Sequence, residues 1–148
     1  MSNLQKYNGV IPAFYACYDK EGNVDPNVVR EFTQYLLDKG VQGLYVGGSS
    51  GECIYQSVAE RKLVLENAMA VAKGKMTIIA HVACNNTADS RELAAHAESL
   101  GVDAIASIPP STLNCPTMPS PSIGTISLMP LPTLTSSSTT FPSWPACL

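Results

Sequence analysis

The chain has 148 residues, 45% of them hydrophobic and 14% charged, and a formal net charge of −3, which suits one modest domain. The acidic balance and the lack of any Lys/Arg cluster exclude nucleic acid and an anionic membrane as partners, and no uncharged apolar run approaches the ~20 residues that cross a bilayer. Met1–Lys6 lacks the apolar core of a secretion signal, and the five cysteines are scattered, odd in number and free of any C-x-x-C pair, which points to reduced thiols in the cytoplasm and to no metal site.

The first 110 residues alternate strand and helix. Val10–Ala16 reads as a first strand, with Pro12 near its start where a missing donor is tolerated. Asp25 caps a helix opening at Pro26, in which Val28, Phe32, Tyr35 and Leu36 share a face and after which Gly40 ends the turn. Gly43–Val46 is the second strand. Ser57-Val58-Ala59-Glu60 is a capping box that opens a second helix, closed by Gly74. Thr77–Ala83 is the third strand. Thr87 caps a third helix, with Leu93, Ala94, Ala97 and Leu100 facing inward and Gly101 at its end, and Ala104–Ile108 is the fourth strand. These starts recur at roughly 30 residues, the size of a βαβ unit. Nearly continuous apolar strands are covered on both faces, so the sheet is expected to be parallel. An open doubly wound sheet and half of an eight-stranded barrel, complete at ~250 residues, both fit.

A sharp break follows. All 9 basic and 12 acidic residues and both histidines precede Ser111, whereas 22 of the last 38 residues are Ser, Thr or Pro. Regular helix cannot run through Cys115–Pro121 with its three prolines. Residues 1–110 therefore read as the folded unit and 111–148 as an uncharged tail that is disordered or was never selected to fold.

The loop after the second strand, Gly47-Gly48-Ser49-Ser50-Gly51-Glu52, carries the chemistry. Glycines let backbone approach a ligand, and two adjacent hydroxyls near a helix start favour a small carboxylate or phosphate. A plain structural turn is the bland alternative. Gly-x-Ser-x-Gly also fits a hydrolase elbow, but no helix starts directly behind the serine and neither an acid nor a histidine follows Asp103. A phosphate loop would need a lysine where Glu52 stands. Elsewhere, His81 reads as a hydrogen-bonded core residue and His96 as part of a solvated face. Cys53 reads as buried, Cys17 and Cys84 as packing, and Tyr45 as core.

Gly43–Glu52 resembles the signature of the N-acetylneuraminate lyase and dihydrodipicolinate synthase family of pyruvate-handling class I aldolases. The likeness runs from residue 7 to about 110, through Gly9–Ala13, the acidic Glu60 and Ile108-Pro109-Pro110. Ser49-Ser50 and Ile79–Cys84 lean towards the sialic acid lyases; Asn85-Asn86-Thr87 suits the synthases as well. The resemblance implies the N-terminal half of a TIM (β/α)8 barrel, a homotetramer, and cleavage of N-acetylneuraminate to N-acetylmannosamine and pyruvate with neither metal nor bound cofactor. A lysine on the sixth strand would form a Schiff base, and a tyrosine after the fifth would move the proton. Ser49 and Ser50 would hold the substrate carboxylate, with Gly48, Gly51 and Glu52 supporting the loop.

The resemblance stops after Pro110, so the Schiff-base lysine and the tyrosine have no matching position. The chain as written is expected to be an inactive fragment, with the fourth strand an open edge prone to aggregation. The codons permitted for Asn114–Met118, read one nucleotide earlier, can encode Leu-Pro-Asp-Tyr-Ala. Those for Thr135–Trp144 can encode Phe-Val-Ile-Tyr-Asn-Ile-Pro-Gln-Leu. These are the elements the family would have next, and they mark the tail as a frameshift near codon 110, which resequencing the gene checks.

Overall fold

Three parallel strands form the frame on which the helices pack: β1 (Gly43–Val46), β2 (Thr77–His81) and β3 (Ala104–Ser107). The computed structural model describes residues 4–107 and 127–130. The register pairs Leu44 with Ile78 and Ile79 with Ala104. Between the strands run α1 (Pro26–Asp38), α2 (Val58–Ala72) and α3 (Thr87–Leu100). Leu44, Ile78, Val29 and Phe14, each at most 1% exposed, centre the core between sheet and helices. On the other face Ile79, Ala104 and Ala106 form a second cluster, flanked by Tyr7, Ile11 and Tyr45.

The helix starts follow local chemistry. The Asp25 carboxylate accepts from the Asn27 and Val28 amides, with Pro26 in the first turn where no donor is missed. At α2 the Ser57 hydroxyl accepts from the Glu60 amide (3.2 Å) while Glu60 Oε2 accepts from the Ser57 amide (2.7 Å). This reciprocal box holds the Glu60 carboxyl below its ordinary range. Ser57→Ala is expected to cost about 1 kcal/mol, read as a lower midpoint in urea denaturation.

Four expectations change. Val10–Ala16 is no regular strand: a single parallel bridge joins Ala13 to Tyr45, flanked by hydrogen bonds from Phe14 N to Tyr45 O (2.8 Å) and from Tyr45 N to Pro12 O (2.9 Å). Pro12 contributes only its carbonyl, so the ladder cannot extend there. Asn86, rather than Thr87, caps α3, its side chain accepting from the Ala88 amide (2.8 Å). On α1 the buried positions are Val29 and Thr33, whereas Val28 and Tyr35 are exposed. Thr33 can be buried because its hydroxyl donates to Val29 O (2.7 Å).

The edge of β3 is also not open. β4 (Ser127–Pro130) pairs with it antiparallel, Ile105 against Met129 and Ser107 against Ser127. That stretch of the expected disordered tail is therefore strand; the remainder of that expectation lies outside the described residues. No described helix is long and apolar enough to cross a membrane.

Candidate functional site

The carboxyl ends of parallel strands are where loops gather to bind ligands, and the loop leaving β1 lies at that end. Gly47 turns the chain with φ +74. Gly48 packs so tightly under the Tyr45 ring that a Cβ there would overlap it, and a Cβ on Gly51 would sit 2.8 Å from Phe14 O. Both glycines are buried, while Ser49 and Ser50 stand exposed between them. Ser49–Gly51 forms one 3₁₀ turn, with Gly51 N donating to Gly48 O and Glu52 N to Ser49 O, each at 3.0 Å. Neither serine hydroxyl has a partner among the described residues. Two hydroxyls on a rigid turn, free to donate outward, suit a carboxylate.

Glu52 ends the turn at φ 57, the one described non-glycine residue in the left-handed region. Such strain collects at ligand-holding loops. Burial first, with the Glu52 carboxylate adding to it, pushes the Tyr18 hydroxyl up, and that hydroxyl accepts from Gln56 Nε2 at 3.2 Å.

Behind the loop stands a buried network that sequence reasoning missed. Arg61, from the first turn of α2, is only 5% exposed. Its Nη2 donates to His81 O (2.7 Å) and its Nη1 to Ala83 O (3.0 Å), with Cys84 Sγ 2.9 Å from Nη1. His81 Nδ1 in turn donates to Gly47 O (2.9 Å), a bond that assigns the proton of the neutral ring to Nδ1. These bonds fasten the end of β2 to the start of the β1 loop. The signal was present: Arg61 shares the inward register of Val64, Leu65, Ala68 and Ala72, where a solvated charge does not belong.

Burial, then the neighbouring Arg61 charge, hold His81 below its ordinary value of 6.5, partly offset by the bond to Gly47. Burial also pushes the Tyr45 hydroxyl and the Cys53 thiol up. Because the unfolded His81 ring gains a proton as pH falls through 6.5 and the folded ring does not, its contribution is complete above that pH and is lost below it. Urea-denaturation free energy is expected to fall by at most about 1.4 kcal/mol per pH unit below 6.5, and His81→Asn is expected to flatten the slope. The depressed carboxyls of Glu60 and Asp19 act only below their ordinary 4.5 and 3.8, so neither accounts for a slope above those values.

The other single-residue readings divide. His81 is the hydrogen-bonded core residue expected, and Cys17 and Cys53 are buried thiols. Cys84 is half-buried against Arg61. Tyr45 packs on the Ile79 cluster, its ring 6.1 Å from that of His81. His96 is not a solvated face: it is partly buried between α2 and α3, with Nε2 2.8 Å from Glu66 Oε1. No lysine stands at the carboxyl end of a strand among the described residues. Lys73 and Lys75 lie at the opposite end, before β2, and Lys62 pairs with Glu92 on the helix layer.

The family described as the dihydrodipicolinate synthetase family matches residues 6–116, six residues beyond Pro110, where the sequence reading ended the resemblance. The N-acetylneuraminate lyase of Mediterraneibacter gnavus is 70% identical over 116 residues, which cover 78% of this chain and 37% of that protein. The N-acetylneuraminate lyase of Enterobacter sp. is 42% identical over 106 residues, covering 72% and 36%. Among solved structures, wild-type Ruminococcus gnavus sialic acid aldolase superposes with a TM-score of 0.70 at 73% identity, over 71% of this chain and 35% of that one. Dihydrodipicolinate synthase from Aquifex aeolicus gives 0.63 at 28% identity, over 67% and 33%. The chain thus spans about a third of the length of the relatives it matches.

Proposed function

Because the chain belongs to the dihydrodipicolinate synthetase family and forms the N-terminal portion of that family's (β/α)8 barrel, we propose that it is the carboxylate-holding part of an N-acetylneuraminate lyase. In the whole enzyme the reaction is aldol cleavage of N-acetylneuraminate to N-acetylmannosamine and pyruvate. The observation that carries this reading is the 70% identity to a lyase of that name across 116 residues. Ser49 and Ser50 then grip the substrate carboxylate through their outward hydroxyls, fixing the neighbouring keto carbon at attack distance. Gly48 and Gly51 give the turn its shape, and Glu52 locks it.

The step that breaks the carbon–carbon bond belongs to a lysine that forms a Schiff base and a tyrosine that carries the proton, and neither has a counterpart here. This chain binds, and does not cleave. A cytoplasmic homotetramer is the setting proposed for the whole enzyme, and the exposed Ile54 and Tyr55 beside the site (75% and 79%) offer apolar surface to such a contact. A dihydrodipicolinate synthase, joining pyruvate to aspartate semialdehyde, is the second reading, favoured by the likeness to solved synthases.

Borohydride reduction in the presence of pyruvate tests the assignment. The 148-residue chain is expected to gain no mass, and the frame-restored protein to gain one reduced pyruvyl adduct on lysine. An adduct on the short chain would refute the division of labour. Release of pyruvate from sialic acid by the restored protein, and no consumption of aspartate semialdehyde, separates lyase from synthase.

A further inference from the structure

We infer that Arg61 is the buried cation of the carboxylate cradle: its guanidinium, pressed beneath Gly47, supplies the positive potential that holds a small organic monoanion at Ser49 and Ser50. This rests on the reading of that loop given above and names the electrostatic partner it lacked.

A cation removed from water is ordinarily matched by a carboxylate, since the desolvation cost is several kcal/mol. Arg61 is 5% exposed, yet no ion pair among the described residues includes it. Its acceptors are two carbonyls and the Cys84 sulfur, none of them a carboxylate. The Nε–H has no partner at all among the described residues. Arg61 borders, with Gly47 and His81, a cavity of about 10 Å³ at the carboxyl ends of β1 and β2. From the position a Gly47 side chain would take, Nη2 lies 3.9 Å and Nε 4.0 Å away, so the charge rests directly against the backbone that opens the cradle.

The surroundings leave that charge unspent. Neutral His81 donates to Gly47 and adds no positive charge of its own. The Cys53 and Tyr45 groups that feel Arg61 are pushed towards their neutral forms by burial. Glu60, the acid directly before Arg61 in sequence, is held by the Ser57 amide and hydroxyl, each at 2.7 Å. In a site shielded from water on one side, an unmatched charge acts on an incoming anion far more strongly than an exposed lysine would. The anion is the missing partner of the arginine.

The test uses the 148-residue chain, with pyruvate as probe and neutral pyruvamide as its uncharged counterpart. Affinities are read from the amide shifts of Ser49 and Ser50, and folding from circular dichroism. Arg61→Lys, which keeps the charge, is expected to bind pyruvate within about threefold of the parent, and Arg61→Gln to bind at least about tenfold more weakly. Parent and Arg61→Gln binding pyruvate equally well would overturn the role of Arg61 while leaving the cradle standing. A parent that binds no pyruvate would remove the cradle reading itself. Should Arg61→Gln fail to fold, Arg61→Lys decides alone. A pyruvate-to-pyruvamide preference within threefold of the parent's supports charge as the operative property, and a preference near one overturns it.

Discussion

Gly43→Ala is expected to destabilise the fold by more than about 4 kcal/mol, because the added methyl group would overlap the Thr77 carbonyl oxygen of the adjoining strand. The obstacle is backbone, which cannot swing aside as a side chain can. Gly43 and Thr77 are register partners at the start of the β1–β2 ladder, and Thr77 is fixed further by its hydroxyl donating to Lys6 O (2.8 Å). Relief requires parting β1 from β2, the strands that carry Leu44 and Ile78 into the core. A domain stable by 5–15 kcal/mol has little margin for such a change. The yield of soluble chain and the urea midpoint check it. Gly22→Ala serves as the control: that glycine has φ +88 but nothing within 4 Å, so only about 1 kcal/mol of backbone strain is expected. Equal losses from the two variants would show that Gly43 is not at a close approach.

The double substitution of Ser49 and Ser50 by alanine is expected to weaken pyruvate binding about 100-fold or more, since hydrogen bonds to a charged group contribute roughly 1.5–3 kcal/mol each. Stability is expected to stay within about 0.5 kcal/mol, because both residues are exposed and their hydroxyls bond nothing described in the fold. That separation of binding from stability is the signature of a ligand-holding pair. Titration of pyruvate against parent and variant, with denaturation curves for both, reads the two quantities separately. Unchanged affinity would reduce the loop to a structural turn.

Legibility in the sequence followed the range of each interaction. The α2 capping box was readable because both of its hydrogen bonds close within four residues, Ser57 to Glu60. At α3 three successive cap-forming residues, Asn85, Asn86 and Thr87, offered the same local chemistry, and only the folded backbone chose Asn86. The face of α1 was misjudged by one residue, since a threonine satisfied by its own helix carbonyl is as buriable as valine. The anion loop was legible through its glycines and serines. Its floor was not, because Arg61 lies nine residues beyond Glu52 and reaches the site only when α2 folds back on β2. The reverse pairing of β4 depends on tertiary placement alone, and no local pattern announces it.

That reversed strand bears on reconstitution. The remainder of such a barrel, supplied as a separate polypeptide, would have to lay its own first stave against Ala104–Ser107 in the same direction, and that seat is already taken by Ser127–Pro130 running the other way. Displacement must come before docking, so repair in trans becomes an exchange of one strand for another and not a simple addition. Pro130, with no amide hydrogen to give at its pairing with Ala104, is the end from which such peeling would begin.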